Sequence, residues 1–133
     1  MKATEETQIS VFLSNRPGVV ADLCTALAKA DVNIRALTVL DTVDVGTMRM
    51  VTSDTEKAKQ ALTDIAAAYI LVPVISLVLP GRTGSFGEVA RIMSNAGVNI
   101  EYVYSSVSPN ADGTLGIFRV SDLDTALKLD YPE

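Results

Sequence analysis

The chain contains the same unit twice, about 66 residues apart, and this repeat limits the folds open to it. A fixed period of this size is typical of two copies of one supersecondary unit, each too small to be robust alone. The function must therefore be one that a pair of such units can perform. The recurring positions are Ile9-Ser10 with Ile75-Ser76, Leu13 with Leu79, Arg16 with Arg82, Gly18 with Gly84, and Val32-Asn33-Ile34 with Val98-Asn99-Ile100.

Composition excludes several classes of partner. The formal net charge is -5 and no basic run occurs, which argues against nucleic acid because phosphate binding needs clustered Lys and Arg. The polar start of the chain is not a signal peptide, and the mainly apolar stretch 65–79 is broken by Pro73 and too short to span a bilayer. Cys24 is the only cysteine, so no internal disulfide is expected, and a cytoplasmic location is favoured.

The sequence also lacks the residues on which much enzyme chemistry depends. It contains no histidine, which excludes histidine-activated nucleophiles and the usual histidine metal sites. It has neither a Walker glycine loop nor a paired-cysteine motif. We therefore expect no enzyme activity and no cofactor.

Hydrophobic periodicity predicts the elements of the first copy. Residues 8–14 alternate as a strand, and apolar residues at helical spacing follow the break at Asn15–Gly18. Asp54 is a natural N-cap for a second helix. The other predicted elements are strands over Asn33–Thr42, Thr47–Ser53 and Tyr69–Val74, with a turn at Val43–Gly46.

The second copy repeats this order but ends early. Its predicted elements are strands over Ile75–Leu79, Asn99–Ser108 and Gly113–Val120, the loop Pro80–Ser85, a hairpin at Pro109–Asp112 and a helix capped by Asp122. The counterpart of the first copy's closing strand would lie beyond Glu133, so we expect the second copy to lack its last strand. We expect the tail Leu129–Glu133, or a partner chain, to cover the open edge of Ile75–Leu79.

These elements predict an α+β fold. Each copy has the order β-α-β-β-α-β, which gives a ferredoxin-like antiparallel sheet with its helices on one face. The predicted units are residues 1–73 and 74–133, placed side by side because no linker separates them. This topology serves many functions, so the fold alone does not name one.

The turn Asn15-Arg16-Pro17-Gly18-Val19 and the segment Val32-Asn33-Ile34 resemble the ACT domain, an amino-acid-binding regulatory module. Gly84 and Gly97-Val98-Asn99-Ile100 repeat the signature, so the resemblance covers the chain as two ACT units without a catalytic domain. It implies an allosteric sensor that binds an amino acid where two units meet and regulates an enzyme of amino-acid biosynthesis or catabolism.

The resemblance implies two related sites. One would join Asn15, Arg16, Pro17, Gly18 and Val19 with Asn99, and the other would join Arg82, Thr83, Gly84 and Ser85 with Asn33. Independently, a helix that starts at a glycine offers free amide donors to a carboxylate. The second loop has Gly81 and Thr83 where the first has asparagine and proline, so we expect one strong site per chain.

Each of these residues also has a purely structural interpretation. The glycines could serve only the turn, and Asn33 and Asn99 could serve only to end a helix or begin a strand. The alternative function is a regulatory or assembly subunit that binds no ligand. We expect Gly18→Val to block the helix amides while leaving the fold intact if the backbone there has a negative φ.

Apolar residues opposite the core predict a homodimer. Phe12 and Val78 occupy equivalent positions on the face opposite Ile9 and Ile75. We expect Leu37, Val39 and Val51 beside them, and a sheet face with so much apolar surface is usually covered.

Overall fold

The computed structural model describes residues 1–41, 45–107 and 113–133. Several predicted segments lie outside the described residues. They are the predicted strand termini Thr42 and Ser108, most of the predicted Val43–Gly46 turn and the predicted Pro109–Asp112 hairpin. The elements are β1 (Thr4–Leu13), α1 (Val19–Lys29), β2 (Ile34–Asp41), β3 (Gly46–Thr52), α2 (Thr55–Asp64), β4 (Tyr69–Pro80), α3 (Ser85–Asn95), β5 (Ile100–Val107), β6 (Gly113–Val120) and α4 (Leu123–Leu127).

The compact units of the structure follow the repeat closely. The first unit comprises Thr7–Val72, and the second comprises Pro73–Glu133 together with Met1–Glu6. The two strands predicted at 69–74 and 75–79 form the single strand β4. The boundary between the two compact units, between Val72 and Pro73, lies within this strand. The assignment of 1–73 and 74–133 as the two ACT units stays a prediction.

The first unit has the ferredoxin-like arrangement. Its strand order is β2-β3-β1-β4, with β3 antiparallel to both β1 and β2. Ile9 pairs with Met50 and Val11 with Met48, and all four side chains are fully buried. The helix residues of the same hydrophobic cluster are Leu23, Leu27, Ala58, Ala61 and Leu62. Both helices therefore cover one face of the sheet, as predicted.

The second unit repeats the arrangement with an unexpected fourth strand. Its order is β5-β6-β4-β1, in which the contribution of β1 is its start, Thr4–Glu6. The prediction that Leu129–Glu133 or a partner chain covers the edge of Ile75–Leu79 is therefore wrong. The tail instead packs Leu129 and Tyr131 against the core, where the Tyr131 hydroxyl donates to the Ala126 carbonyl at 2.6 Å. Burial raises the pKa of that phenol.

Two kinds of residue start the helices. Gly18 and Gly84 precede α1 and α3 in the left-handed conformation, with φ of 89° and 87°. Asp54 and Asp122 cap α2 and α4, as predicted, by accepting hydrogen bonds from the amides of Lys57 and Thr125 at 3.0 and 3.1 Å. The longer helices that begin at glycine therefore lack a side-chain cap, while those that begin at aspartate have one.

The predicted outer apolar face is smaller than expected. Leu37 and Val39 pair with Met50 and Met48, which point into the core, so they lie on the helix side of the sheet. Val51 pairs with Ala36 and is 1% exposed. The expectation that Leu37 and Val39 extend the outer face is therefore wrong, because a register shift between Ile34 and Ala36, which alternation alone does not reveal, turns them to the helix side. Val51 follows the core residue Met50 in β3, so it lies on the outer face as expected, but it is buried there.

Candidate functional site

The loop between β1 and α1 leaves the start of its helix open. The Arg16 amide donates to the Ser14 carbonyl at 2.9 Å, and the first helical bond is donated by Asp22 to Gly18 at 2.9 Å. The amides of Val19, Val20 and Ala21 precede that bond, so they are free of the helical ladder. A Cβ built on Gly18 would meet nothing within 4 Å. A small ligand can therefore approach these donors closely.

Two cavities flank this loop within the first unit. One has a volume of about 550 Å³, and Arg16 and Asp22 line it. The other has a volume of about 280 Å³, and Asn15, Arg16 and Asp41 line it. Ser14, Arg16 and Val19 border both cavities. Arg16 therefore borders both hollows, and an aspartate lines each of them.

The equivalent loop of the second unit also leads into its helix through a left-handed glycine, but its arginine side chain has a different partner. Arg82 donates two hydrogen bonds to Glu88, at 2.9 Å to Oε1 and 2.6 Å to Oε2. This hydrogen bonding raises the pKa of Arg82 and lowers the pKa of Glu88. In the part of the chain that the structure describes, the Arg16 side chain forms no such bond with Asp22, which is the counterpart of Glu88. The Arg82 guanidinium is thus already engaged.

Asn33 and Asn99 occupy equivalent places at the other end of their sheets. The Asn33 amide donates to Ser53 Oγ at 2.9 Å, and the Asn99 amide donates to Ser121 Oγ at 2.9 Å. Their carbonyls accept from the same serine amides, at 2.9 Å in both units. These bonds give the asparagines a structural role, and both residues are exposed.

Register separates each asparagine from the loop of its own unit. Leu13, which precedes the first loop, pairs with Gly46, whereas Ile34, which follows Asn33, pairs with Thr52. The length of β3 lies between them, about 20 Å at the usual rise of a strand. Asn33 and the Asn15–Gly18 loop therefore do not form one site within the unit. The joining of each loop to the asparagine of the other unit stays a prediction.

Comparison with known proteins agrees with the topology and the glycine-led helices. A family described as "ACT domain pair" matches residues 4–129. The chain belongs to the ACT domain pair family. The resemblance seen in the sequence is therefore confirmed, and so is the α+β fold of two ferredoxin-like units. A search among curated proteins found no match.

Solved structures share this fold. A protein from Bacteroides thetaiotaomicron is 30% identical with a TM-score of 0.86, over 96% of this chain and 92% of the other. The ligand-free regulatory subunit of aspartate kinase from Thermus thermophilus is 16% identical with a TM-score of 0.68, over 96% and 93%. The corresponding subunit from Thermus flavus is 17% identical with a TM-score of 0.61, over 96% and 94%. The two kinase subunits share the fold.

The predicted site residues of this ACT domain pair fall into four places. Asn15, Arg16, Pro17, Gly18 and Val19 form the open loop of the first unit, and Arg82, Thr83, Gly84 and Ser85 form the loop of the second. Each asparagine lies at the far end of its own sheet. No helix among the described residues is long and apolar enough to cross a membrane.

Two carboxylates beside the first loop were not among the predicted site residues. Asp22 lies one helical turn after Gly18, so helical spacing could have placed it against the loop. Asp41 ends β2 and pairs with Gly46, the same residue that pairs with Leu13 before the loop. Finding Asp41 requires the strand register, which the repeat alone does not supply.

Proposed function

We propose that this ACT domain pair is a regulatory protein that binds a small amino acid at the Ser14–Val19 loop. The observation that carries the proposal is the position of Arg16, which borders two cavities that each contain an aspartate. An amino acid at neutral pH carries one carboxylate and one ammonium group. A site with both a cation and carboxylates complements such a zwitterion.

Each charged group of the ligand has a partner of the right chemistry. The ligand carboxylate accepts hydrogen bonds from the free amides at the start of α1 and from the Arg16 guanidinium. The ammonium group donates to the Asp22 or the Asp41 carboxylate. Asn15 supplies both a donor and an acceptor, so it can hydrogen-bond either end of the ligand. The apolar side of Val19 is left to contact the ligand side chain.

The regulated partner is proposed to be an enzyme of amino-acid metabolism. Solved structures with this fold include the regulatory subunit of aspartate kinase, which supports a regulatory subunit rather than a catalyst. The sequence contains no histidine, and we assign no catalytic residues to the loop. The alternative is a subunit that assembles with an enzyme but binds no amino acid.

Titration calorimetry against the twenty amino acids tests the proposal. We expect one amino acid to bind with about one strong site per chain. Arg16→Gln and Asn15→Ala should each weaken it about ten- to a hundredfold, which corresponds to about 1.5–3 kcal/mol for a lost hydrogen bond to a charged group.

Arg82→Gln is the matched control, since it removes the same residue type from a loop whose guanidinium already binds Glu88. We expect it to change the affinity less than threefold. Equal losses from the two arginine variants, or two equal sites per chain, would contradict the asymmetry. Absence of binding at millimolar amino acid would leave the ligand-free assembly subunit as the function.

A further inference from the structure

The second unit contains an uncharged hollow among β4, β5, β6 and the start of α3. Its volume is about 330 Å³. The described residues that line it are Leu79, Ser85, Phe86, Val103, Tyr104, Ser105, Thr114 and Gly116. We propose that this hollow, named here the aromatic cavity, binds a small uncharged aromatic molecule. The proposal is independent of the amino-acid site, because it uses different residues in the other unit.

The aromatic cavity corresponds to the cavity of about 280 Å³ in the first unit, but it is bordered by a glycine at the position where the first unit has a methionine. Val11 pairs with Met48 in the first unit, and at the equivalent place in the second unit Leu77 pairs with Gly116. Met48 is fully buried and fills the core there. A Cβ at Gly116 would lie 2.8 Å from Cε1 of Phe118, so even alanine would force that ring to move. The space therefore cannot be closed by a side chain at position 116 while Phe118 keeps its place.

Two stacked rings form one side of the region. Phe86 and Phe118 have ring centroids 6.0 Å apart and planes inclined by 11°. Phe118 is fully buried, whereas Phe86, in the first turn of α3, remains 44% exposed and borders the cavity. A half-exposed ring beside an aromatic neighbour offers a face or an edge to another aromatic ring, and such pairs are favourable beyond the area that they bury.

None of the described residues that line the aromatic cavity is charged. The loop guanidinium of this unit, on Arg82, is bound to Glu88 and is not among them. A zwitterion placed here would lose hydration without gaining a counter-charge, which is unfavourable. Hydroxyl groups of Ser85, Ser105 and Thr114 can still hydrogen-bond one or two polar atoms. Apolar walls with a few polar groups are typical of small-molecule sites, whose volumes begin near about 300 Å³.

Two probes that share one ring system differ in charge, so they test whether the aromatic cavity prefers an uncharged ligand. Indole is uncharged, while L-tryptophan carries the same ring on a zwitterionic backbone. We expect amide and methyl NMR shifts on titration of the intact protein with indole at millimolar concentration. They should concentrate at Ser105, Thr114 and Gly116, and indole should bind more tightly than L-tryptophan. Tighter binding of L-tryptophan at the same residues, or shifts spread evenly over both units, would overturn the proposal.

Phe86→Ala tests the stacking ring, and Phe12→Ala is its matched control, because both phenylalanines are 44% exposed. We expect Phe86→Ala to weaken indole binding about three- to tenfold, and Phe12→Ala to leave it unchanged. Equal effects of the two variants would overturn the proposal. Circular dichroism first checks that both variants fold.

Ser105→Val provides a second variant, since valine is the residue at the equivalent position 39 of the first unit. It narrows the cavity and removes a hydroxyl without changing charge, so indole binding should weaken. If Ser105→Val and Phe86→Ala both left indole binding unchanged, the aromatic cavity would not be the indole site. Arg16→Gln should keep full indole binding while binding the amino acid about ten- to a hundredfold more weakly, so failure of one site is distinguishable from failure of the other.

Discussion

At the scale of single residues, Gly18 and Gly84 combine open space with a left-handed backbone. Their φ angles are 89° and 87°, and a Cβ on either would meet nothing within 4 Å. A larger residue is therefore opposed by the backbone conformation and not by a clash. The condition under which Gly18→Val would leave the fold intact, a negative φ, is not met.

We predict that Gly18→Ala lowers the free energy of unfolding by about 1–2 kcal/mol, the cost of a left-handed non-glycine residue. Gly84→Ala should cost a similar amount because its φ differs by little. Denaturant unfolding of each variant measures this loss. A free energy of unfolding unchanged by Gly18→Ala would mean that the loop relaxes to another conformation.

Two residues after α1, an aspartate adopts the left-handed backbone that favours glycine. Asp31 has φ of 60°, and its counterpart in the second unit is Gly97, with φ of 76°. Asp31 is exposed, so replacing it removes no core contact. We predict that Asp31→Gly raises the free energy of unfolding by about 0.5–1 kcal/mol, while Gly97→Asp lowers it by a similar amount. Denaturant melts of both variants provide the check, and destabilisation by Asp31→Gly would contradict the argument.

At the scale of elements, the sequence predicted the helices and most strands but not the fourth strand of the second unit. Asp54 and Asp122 were identifiable because an aspartate before an apolar periodic run satisfies free helix amides. Thr4–Glu6 gives no such signal, since its residues are polar and show no alternation of apolar side chains. By the 66-residue period, residues 3–6 are equivalent to Tyr69–Val72, the closing strand of the first unit, although no residue is identical between the two segments.

The fourth strand of the second unit can be tested by removing residues 1–6. That deletion should expose one edge of β4, because β1 is the neighbour of β4 on the side away from β6. We expect the amides of Ile75–Leu79 that face β1 to exchange faster with solvent, while those bonded to β6 stay protected. Hydrogen exchange followed by NMR separates the two sets. Unchanged protection of both sets would show that Thr4–Glu6 does not complete this sheet.

The short helix α4 depends on the charge of its cap. Asp122 accepts from the Thr125 hydroxyl at 2.6 Å and from the Thr125 amide at 3.1 Å. These bonds lower the pKa of the Asp122 carboxyl. Because the pKa in the fold is depressed, the stabilisation is present above the ordinary value of about 3.9 and is lost as pH falls through the folded value.

Asp122→Asn keeps a capping side chain but removes its titration. We predict that the wild type has the higher Tm at neutral pH, and that the difference narrows as the pH is lowered below about 4. Thermal melts of both proteins across this range measure it, and a carboxyl NMR titration locates the pKa itself. A Tm difference that is constant with pH would contradict a role for the Asp122 charge.

At the scale of the whole molecule, the repeat gives the two units similar backbones. Differences between equivalent residues give their loops and cavities different properties. Arg16 and Arg82 are identical residues, but the longer side chain of Glu88 binds Arg82, whereas Asp22 forms no such bond. Met48 is buried in one core, whereas Gly116 borders the aromatic cavity at the equivalent position of the other. The sequence could predict the loops from local spacing. It could not predict the cavities, which depend on strand register and on the packing of distant residues.

The last prediction concerns assembly. Exposed apolar side chains remain on the sheet face opposite the core, among them Phe12, 44% exposed, in the first unit and Val78, 58% exposed, in the second. Burying large apolar groups of this kind stabilises association, so we predict a homodimer that covers both. Phe12→Lys combined with Val78→Lys should shift the protein to monomer, because two charges would then be buried without partners.

Ile65→Lys is the matched control, since Ile65 is 44% exposed but follows helix α2 and does not lie on the sheet. Light scattering at tens of micromolar should give twice the 14.1 kDa mass for the wild type and for Ile65→Lys, and the single mass for the double variant. A monomeric wild type under these conditions would remove the dimer. A double variant that remains dimeric would place the interface on another surface.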